Sequence, residues 1–148
     1  MRVSAQITIN GTKAAVWAAI TNFRNAAEMI SGIEKMDILE EPVNTLVGLK
    51  WRETRQYFGK PSAIDKWITA AVEKESYQTR AEMDGFLFIT TMHIMEDSSG
   101  IILSSTHETK PQRFTARLKS LPMIFFRGMI KKALLKDLKD VKAFVEKN

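Results

Sequence analysis

From residue 33 to 109 the chain reads as β almost without interruption, much of it with polar and apolar positions alternating, and one long amphipathic stretch closes the chain. Alternation with period two marks strands that bury one face, and recurrence at three or four residues marks a helix with one apolar stripe. Six strand segments follow from the alternation: 33–40, 49–58, 63–74, 77–83, 86–96 and 101–109. Their separators, Gly59-Lys60-Pro61, Glu75-Ser76, Asp84-Gly85 and Asp97-Ser98-Ser99-Gly100, are turn chemistry and short enough for hairpins. Consecutive strands joined by hairpins pair antiparallel.

The N-terminal segment adds a seventh strand over 3–9, with Val3, Ala5, Ile7 and Ile9 on one face. Asn10-Gly11 punctuates it, and Thr12 stands where an N-cap would start a helix over 13–22. A second short helix is expected over 25–30. The pair reads as a connector, not a DNA-reading motif, because its second helix carries one acidic residue and no basic one. At the other end Pro122 suits the first turn of a helix running to 146. Met123, Phe126, Ile130, Leu134, Leu138, Val141 and Val145 form its stripe, and lysines 131, 132, 136, 139 and 142 lie largely off it. The order strand, helix pair, six strands, long helix predicts an α+β fold: a seven-stranded antiparallel sheet, twisted enough to curl around the long C-terminal helix, with two short helices between strands 1 and 2. A sheet curled around one helix leaves room for a cavity between them.

The chain's 148 residues fit a single domain spanning 1–148. Cysteine is absent, which excludes disulfides, thiolate nucleophiles, Cys-ligated zinc and iron–sulfur clusters. No glycine-rich phosphate loop, GxSxG or HExxH occurs, and His93 and His107 fall on opposite strand faces, so no metal and no cofactor is expected. No stretch reaches 18 apolar residues, and the N-terminus lacks the apolar core of a secretory signal, so the cytoplasm is the expected compartment. The net charge of +5 is unevenly placed: residues 1–109 hold 11 basic and 14 acidic side chains, and residues 110–148 hold 11 and 3.

Five segments in this order resemble the START-like superfamily (SRPBCC, helix-grip), in its polyketide cyclase/dehydrase and lipid-transport-like branch. They are ITINGTKAAVWAAITNF (7–23), VGLKWRE (47–53), GKPSAIDKWITAAVEKES (59–76), DSSGIILSS (97–105) and LKDLKDVKAFVEK (135–147). The chain departs at Asn22, where many members carry aspartate, and at Ile101, where threonine is common. The resemblance implies binding of a hydrophobic or amphipathic small molecule, lipid-like or polycyclic, between sheet and helix. It also implies an alternative, a cyclase/dehydratase-type enzyme acting on a polyketide-like or aromatic substrate in the same cavity.

In that family the aromatic after the third-strand glycine faces inward, which would put Trp51, Glu53, Arg55 and Tyr57 on the concave face. The same parity adds Tyr77, Thr79, Ala81 and Met83, then Phe88, Thr90 and Met92, then Leu103, Ser105 and His107. The long helix would supply Met123, Phe126 and Ile130. These residues are either ligand lining or plain core. Glu53 and Arg55 share a face two positions apart; they read as an ion pair, or as a ligand-binding arginine with a carboxylate that orients it or acts as base. His107 is the inner group whose ordinary pKa suits proton transfer at neutral pH. Glu53, Arg55 and His107 are therefore the catalytic candidates.

On the outer face Trp67, Leu87, Ile89, Met95 and Ile102 suggest a dimer contact or a covering helix, which leaves monomer and homodimer both open. Residues 110–132, Arg113, Arg117, Lys131 and Lys132 included, mix basic and bulky apolar side chains near the expected cavity mouth. Three readings stay open there: a solvated surface, a portal for an anionic amphiphile, or transient contact with an anionic membrane. A nucleic-acid partner is not expected, because the aromatics are not interleaved with the basic residues.

Overall fold

A computed structural model describes residues 1–57, 59–112 and 126–147. The elements run β1 (Arg2–Ile9), α1 (Lys13–Ile20), a 3₁₀ turn (Phe23–Asn25), α2 (Ala26–Met29), β2 (Ile33–Glu40), β3 (Lys50–Tyr57), β4 (Lys60–Val72), β5 (Ser76–Met83), β6 (Phe86–Asp97), β7 (Gly100–Pro111) and α3 (Arg127–Lys147). All seven strands join one antiparallel sheet in the order β1-β7-β6-β5-β4-β3-β2. This is the expected α+β helix-grip architecture.

Boundaries differ where local chemistry overrides periodicity. The first helix stops at Ile20, with Thr21 capping it through a bond from its hydroxyl to the Trp17 carbonyl (2.6 Å). The second expected helix divides into the 3₁₀ turn and the single turn of α2. Strand β4 begins at Lys60, because the Gly59 turn is tight enough for Pro61 to pair with Gln56 in register. The expected helix start at Pro122, the lining residue Met123 and the strand end at Phe58 lie outside the described residues.

Turn chemistry sets the hairpins. Thr12 caps α1 by accepting from the Ala15 amide (3.0 Å). Asp84 and Gly85 both take positive φ (54° and 80°), which matches a two-residue turn between right-twisted strands. Gly100 has φ +129°, and an added Cβ would lie 3.1 Å from the Ile9 carbonyl oxygen. Glycine is therefore needed where β1 and β7 come together.

The core lies between sheet and helices. Ile9, Ile68, Ile94, Ile101 and Leu103 from the sheet meet Val16, Ala19 and Ile20 of α1 and Leu138, Val141 and Val145 of α3. Phe23 stacks on Trp51 (centroids 4.5 Å apart) and meets Tyr77 edge-on at 5.4 Å, which seals the connector onto the sheet. The buried stripe of α3 covers only its C-terminal half. Towards its start Arg127, Gly128, Met129, Lys131, Lys132 and Ala133 are all exposed. Each acid of the helix binds the body: Asp137 holds Arg55, Asp140 accepts from the Ser31 amide (2.9 Å) and hydroxyl (2.8 Å), and Glu146 accepts from the Asn10 amide (2.9 Å). On the outer face Ile89 is buried although it faces away from the core; Arg80 and Glu108 are its cross-strand neighbours. Met95, on the same face, is exposed.

Candidate functional site

Register places the candidate residues on one surface. Trp51 pairs with Lys66, Lys66 with Ala81, Ala81 with Phe88, and Phe88 with Thr109. A second row runs Ile68, Thr79, Thr90, His107, Val3, and a third joins Tyr77, Met92, Ser105 and Ala5. Trp51, Tyr77 and Met92 belong to the core that α1 and α3 cover, so this surface is the inner one.

At the β3–β4 side the inner surface carries a closed charge cluster. Glu53 is 4% exposed. Its Oε2 accepts from Arg55 Nε (2.7 Å) and Lys66 Nζ (3.0 Å), and its Oε1 accepts from Trp51 Nε1 (3.2 Å). Arg55 turns its other two nitrogens onto Asp137 of α3, Nη1 to Oδ1 at 3.2 Å and Nη2 to Oδ2 at 2.8 Å. Burial alone would push the Glu53 carboxyl up. The charges of Lys66 and Arg55 outweigh it and hold the group down at about 2. For Arg55 burial works against the charge too, and the bonds it donates to Asp137 and Glu53, with their negative charges, push its pKa upward. Tyr77, beside this cluster, is pushed up by burial first and then by the negative charges of Glu53 and Asp137.

The β6–β7 side is neutral and polar. His107 Nδ1 lies 3.1 Å from Thr90 Oγ1 and Nε2 lies 3.3 Å from Thr109 Oγ1, and its ring stacks on Phe88 at 5.8 Å. Burial, helped by the positive charge of Lys66, lowers its pKa to about 4, so the imidazole is neutral at pH 7. Glu53 and Arg55 thus share one network and His107 has another; the structure does not bring the three catalytic candidates into direct contact. A carboxylate already holding three donors and ionised down to pH 2 is a weak base. His107 is neutral at pH 7, but with a pKa near 4 it too is a weak base there.

The remaining candidates divide by depth. Trp51, Tyr77, Thr79 and Ser105 are buried, whereas Phe88, Thr90, Met92 and Ile130 keep partial exposure. Tyr57, at the end of β3, is 48% exposed, and Phe126, just before α3, is 41% exposed. Sequence reasoning missed Lys66 and Asp137. Lys66 sits on β4 directly across from Trp51, where strand parity could have found it; the register shift between Ile68 and Ala70 breaks that parity along the strand. Asp137 follows the stripe residue Leu134 by three positions, which places it beside the apolar seam.

A curled seven-stranded antiparallel sheet around a long C-terminal helix, with short helices between the first two strands, is the START-like (SRPBCC, helix-grip) fold. Solved structures share it. A START superfamily protein from Mycobacterium smegmatis is similar with a TM-score of 0.80 at 13% identity, over 99% of this chain and 97% of that one. The aromatase/cyclase Zhui from Streptomyces sp. R1128 gives 0.76 at 13% identity, over 99% and 94%. The di-domain ARO/CYC StfQ from the steffimycin biosynthetic pathway gives 0.79 at 11% identity over 99% of this chain, which spans only half (50%) of that protein. At such identities the likeness is one of fold. No protein-family model matches the sequence, and no curated protein matches it either.

Proposed function

We propose that the chain binds a hydrophobic or amphipathic small molecule, lipid-like or polycyclic, between the β5–β7 part of the inner surface and α3. One observation carries this reading: solvent reaches a patch of the inner surface. Ile94, Ile101 and Leu103 are shut off from solvent, whereas Phe88, Thr90, Met92 and His107, on the same strands, keep partial exposure, with Ala81, Phe86 and Thr109 buried beside them. An aromatic, a methionine and a few hydroxyls on such a patch suit a ligand with an apolar body and one or two polar atoms.

The interior charge is balanced, Arg55 and Lys66 against Glu53 and Asp137. The buried part of the ligand is therefore neutral; Arg113 and Arg117, expected at the mouth, lie outside the described residues. Native mass spectrometry of the freshly purified protein, then of protein given a fatty acid and a polycyclic phenol in turn, tests the reading. A retained or added mass that Thr90→Trp abolishes is the expected result. No uptake of either probe overturns it.

A cyclase/dehydratase-type activity is the second reading, and it rests on His107 as its one neutral, hydrogen-bonded imidazole. It requires that His107→Gln abolish turnover of an enolisable aromatic substrate while leaving its binding intact.

A further inference from the structure

We propose that the start of α3 is a docking surface for an anionic lipid bilayer. Three observations converge on it, and none depends on what the inner surface holds.

The first is charge segregation. All three acids of α3, Asp137, Asp140 and Glu146, are turned onto partners in the body of the protein or in the helix itself. None of these acids pairs with Arg127, Lys131, Lys132, Lys136 or Lys139, all exposed and, among the described residues, in no ion pair. Met129, Lys132, Lys136 and Lys139 follow one another at three and four residues, so they share the stripe opposite Leu134, Leu138 and Val141.

The second is exposed apolar bulk at the same end. Phe126 is 41% and Met129 is 52% exposed, three positions apart and among the cations. Large apolar side chains ringed by lysine and arginine are the composition of a segment that lies in a membrane interface. A nucleic-acid surface would reward cations but not an exposed methionine, and an acidic protein would not need the apolar pair.

The third is exposure. From Phe126 to Ala133 every residue except Ile130 is exposed. A flat partner can reach side chains exposed in such a run. No described helix is long and apolar enough to cross a membrane, so the contact is with the surface. Phosphates would meet the cations while Phe126 and Met129 enter the headgroup layer.

Vesicle co-sedimentation tests the surface. With vesicles of phosphatidylcholine containing about 30 mol% phosphatidylglycerol the protein should sediment, and with pure phosphatidylcholine it should stay in solution. About 1 M NaCl, where screening acts within about 3 Å, should release it. Replacing Arg127, Lys131, Lys132 and Lys136 together with glutamine should lower partitioning at least about tenfold. Phe126→Ser with Met129→Ser should lower it while leaving its salt dependence in place. Lys35→Gln with Lys60→Gln, remote from α3 in the chain, should change nothing, and thermal melts should show every variant folded. Absence of binding to the anionic vesicles, equal loss in the Lys35/Lys60 control, or tighter binding to a mixed-sequence RNA at the same salt overturns the proposal. Ligand uptake is read separately by mass, so each reading can fail without the other.

Discussion

Arg55 grips Asp137 with both terminal nitrogens while its Nε donates to Glu53, so one guanidinium on β3 joins the sheet's interior to the long helix. The side chains are 20% and 27% exposed, which leaves the pair partly shielded from water. The C-terminal half of α3 also reaches β1, where Lys142 Nζ donates to the Thr8 carbonyl (2.9 Å), and β1 lies far across the sheet from β3. The arginine therefore ties the far side of the curl to a helix anchored on the near side. Asp137→Ala should cost about 1–3 kcal/mol, since it strands a charged donor pair. Urea unfolding would measure it, and a loss under about 0.5 kcal/mol would show the pair to be screened like a surface bridge.

Glu53 is the hub of the interior charges, and its removal should be worse than its replacement together with a partner. Glu53→Leu leaves Lys66 without its anion and Arg55 with only one, at a cost of about 3–5 kcal/mol. Glu53→Leu combined with Lys66→Met should recover a substantial part of that loss. Equal stability of the single and double variants would count against the coupling, which a double-mutant cycle measures directly.

The depressed pKa of His107 makes stability depend on pH in a definite direction. Unfolded, the imidazole takes a proton below about 6.5; folded, it resists until about 4. Between those values the unfolded state binds more protons, so stability is full above pH 6.5 and falls as pH drops toward 4. Glu53, held at about 2, adds a second loss that begins below its ordinary value near 4.5. His107→Gln should flatten the upper window and leave the lower. An NMR titration in which His107 takes up its proton at pH 6 or above would contradict this.

Sealed and partly exposed positions of the inner surface should answer differently to truncation. Leu103 has no exposed area, and Leu103→Ala should cost about 3–5 kcal/mol through an unfilled cavity. Met92 keeps partial exposure, so Met92→Ala should cost less, about 1–2 kcal/mol. Equal costs in chemical denaturation would mean that the surface is packed alike from end to end.

Strand order and facing were legible because nearly every inner position from Trp51 to His107 obeys the two-residue period and most hairpin turns carry glycine or aspartate where φ is positive, Lys74 (φ 61°) between β4 and β5 being the exception. The aromatic contact of Phe23 with Trp51 was not, since it depends on how the connector folds back and no local pattern records that. Lys66 escaped for a similar reason. A register shift follows it on β4, and the strand's polar residues give little contrast between faces. For α3 the period identifies the face but not its reach: Phe126 belongs to the stripe, yet the helix has left the sheet by that point and the side chain is exposed. Periodicity describes one element at a time, and sites arise where elements meet.

The placement of β1 beside β7 has a consequence for the order of assembly. Ser4 meets Thr106 across 102 positions of sequence, whereas among themselves β2 through β7 pair only in chain order. Closing so long a loop is entropically costly before its contacts form. The six-stranded meander should therefore gather first and accept its first-made strand last, through a slow step typical of non-local β pairing. Until that step the β7 edge is unpaired and bare, and a growing chain is most exposed to mispairing there.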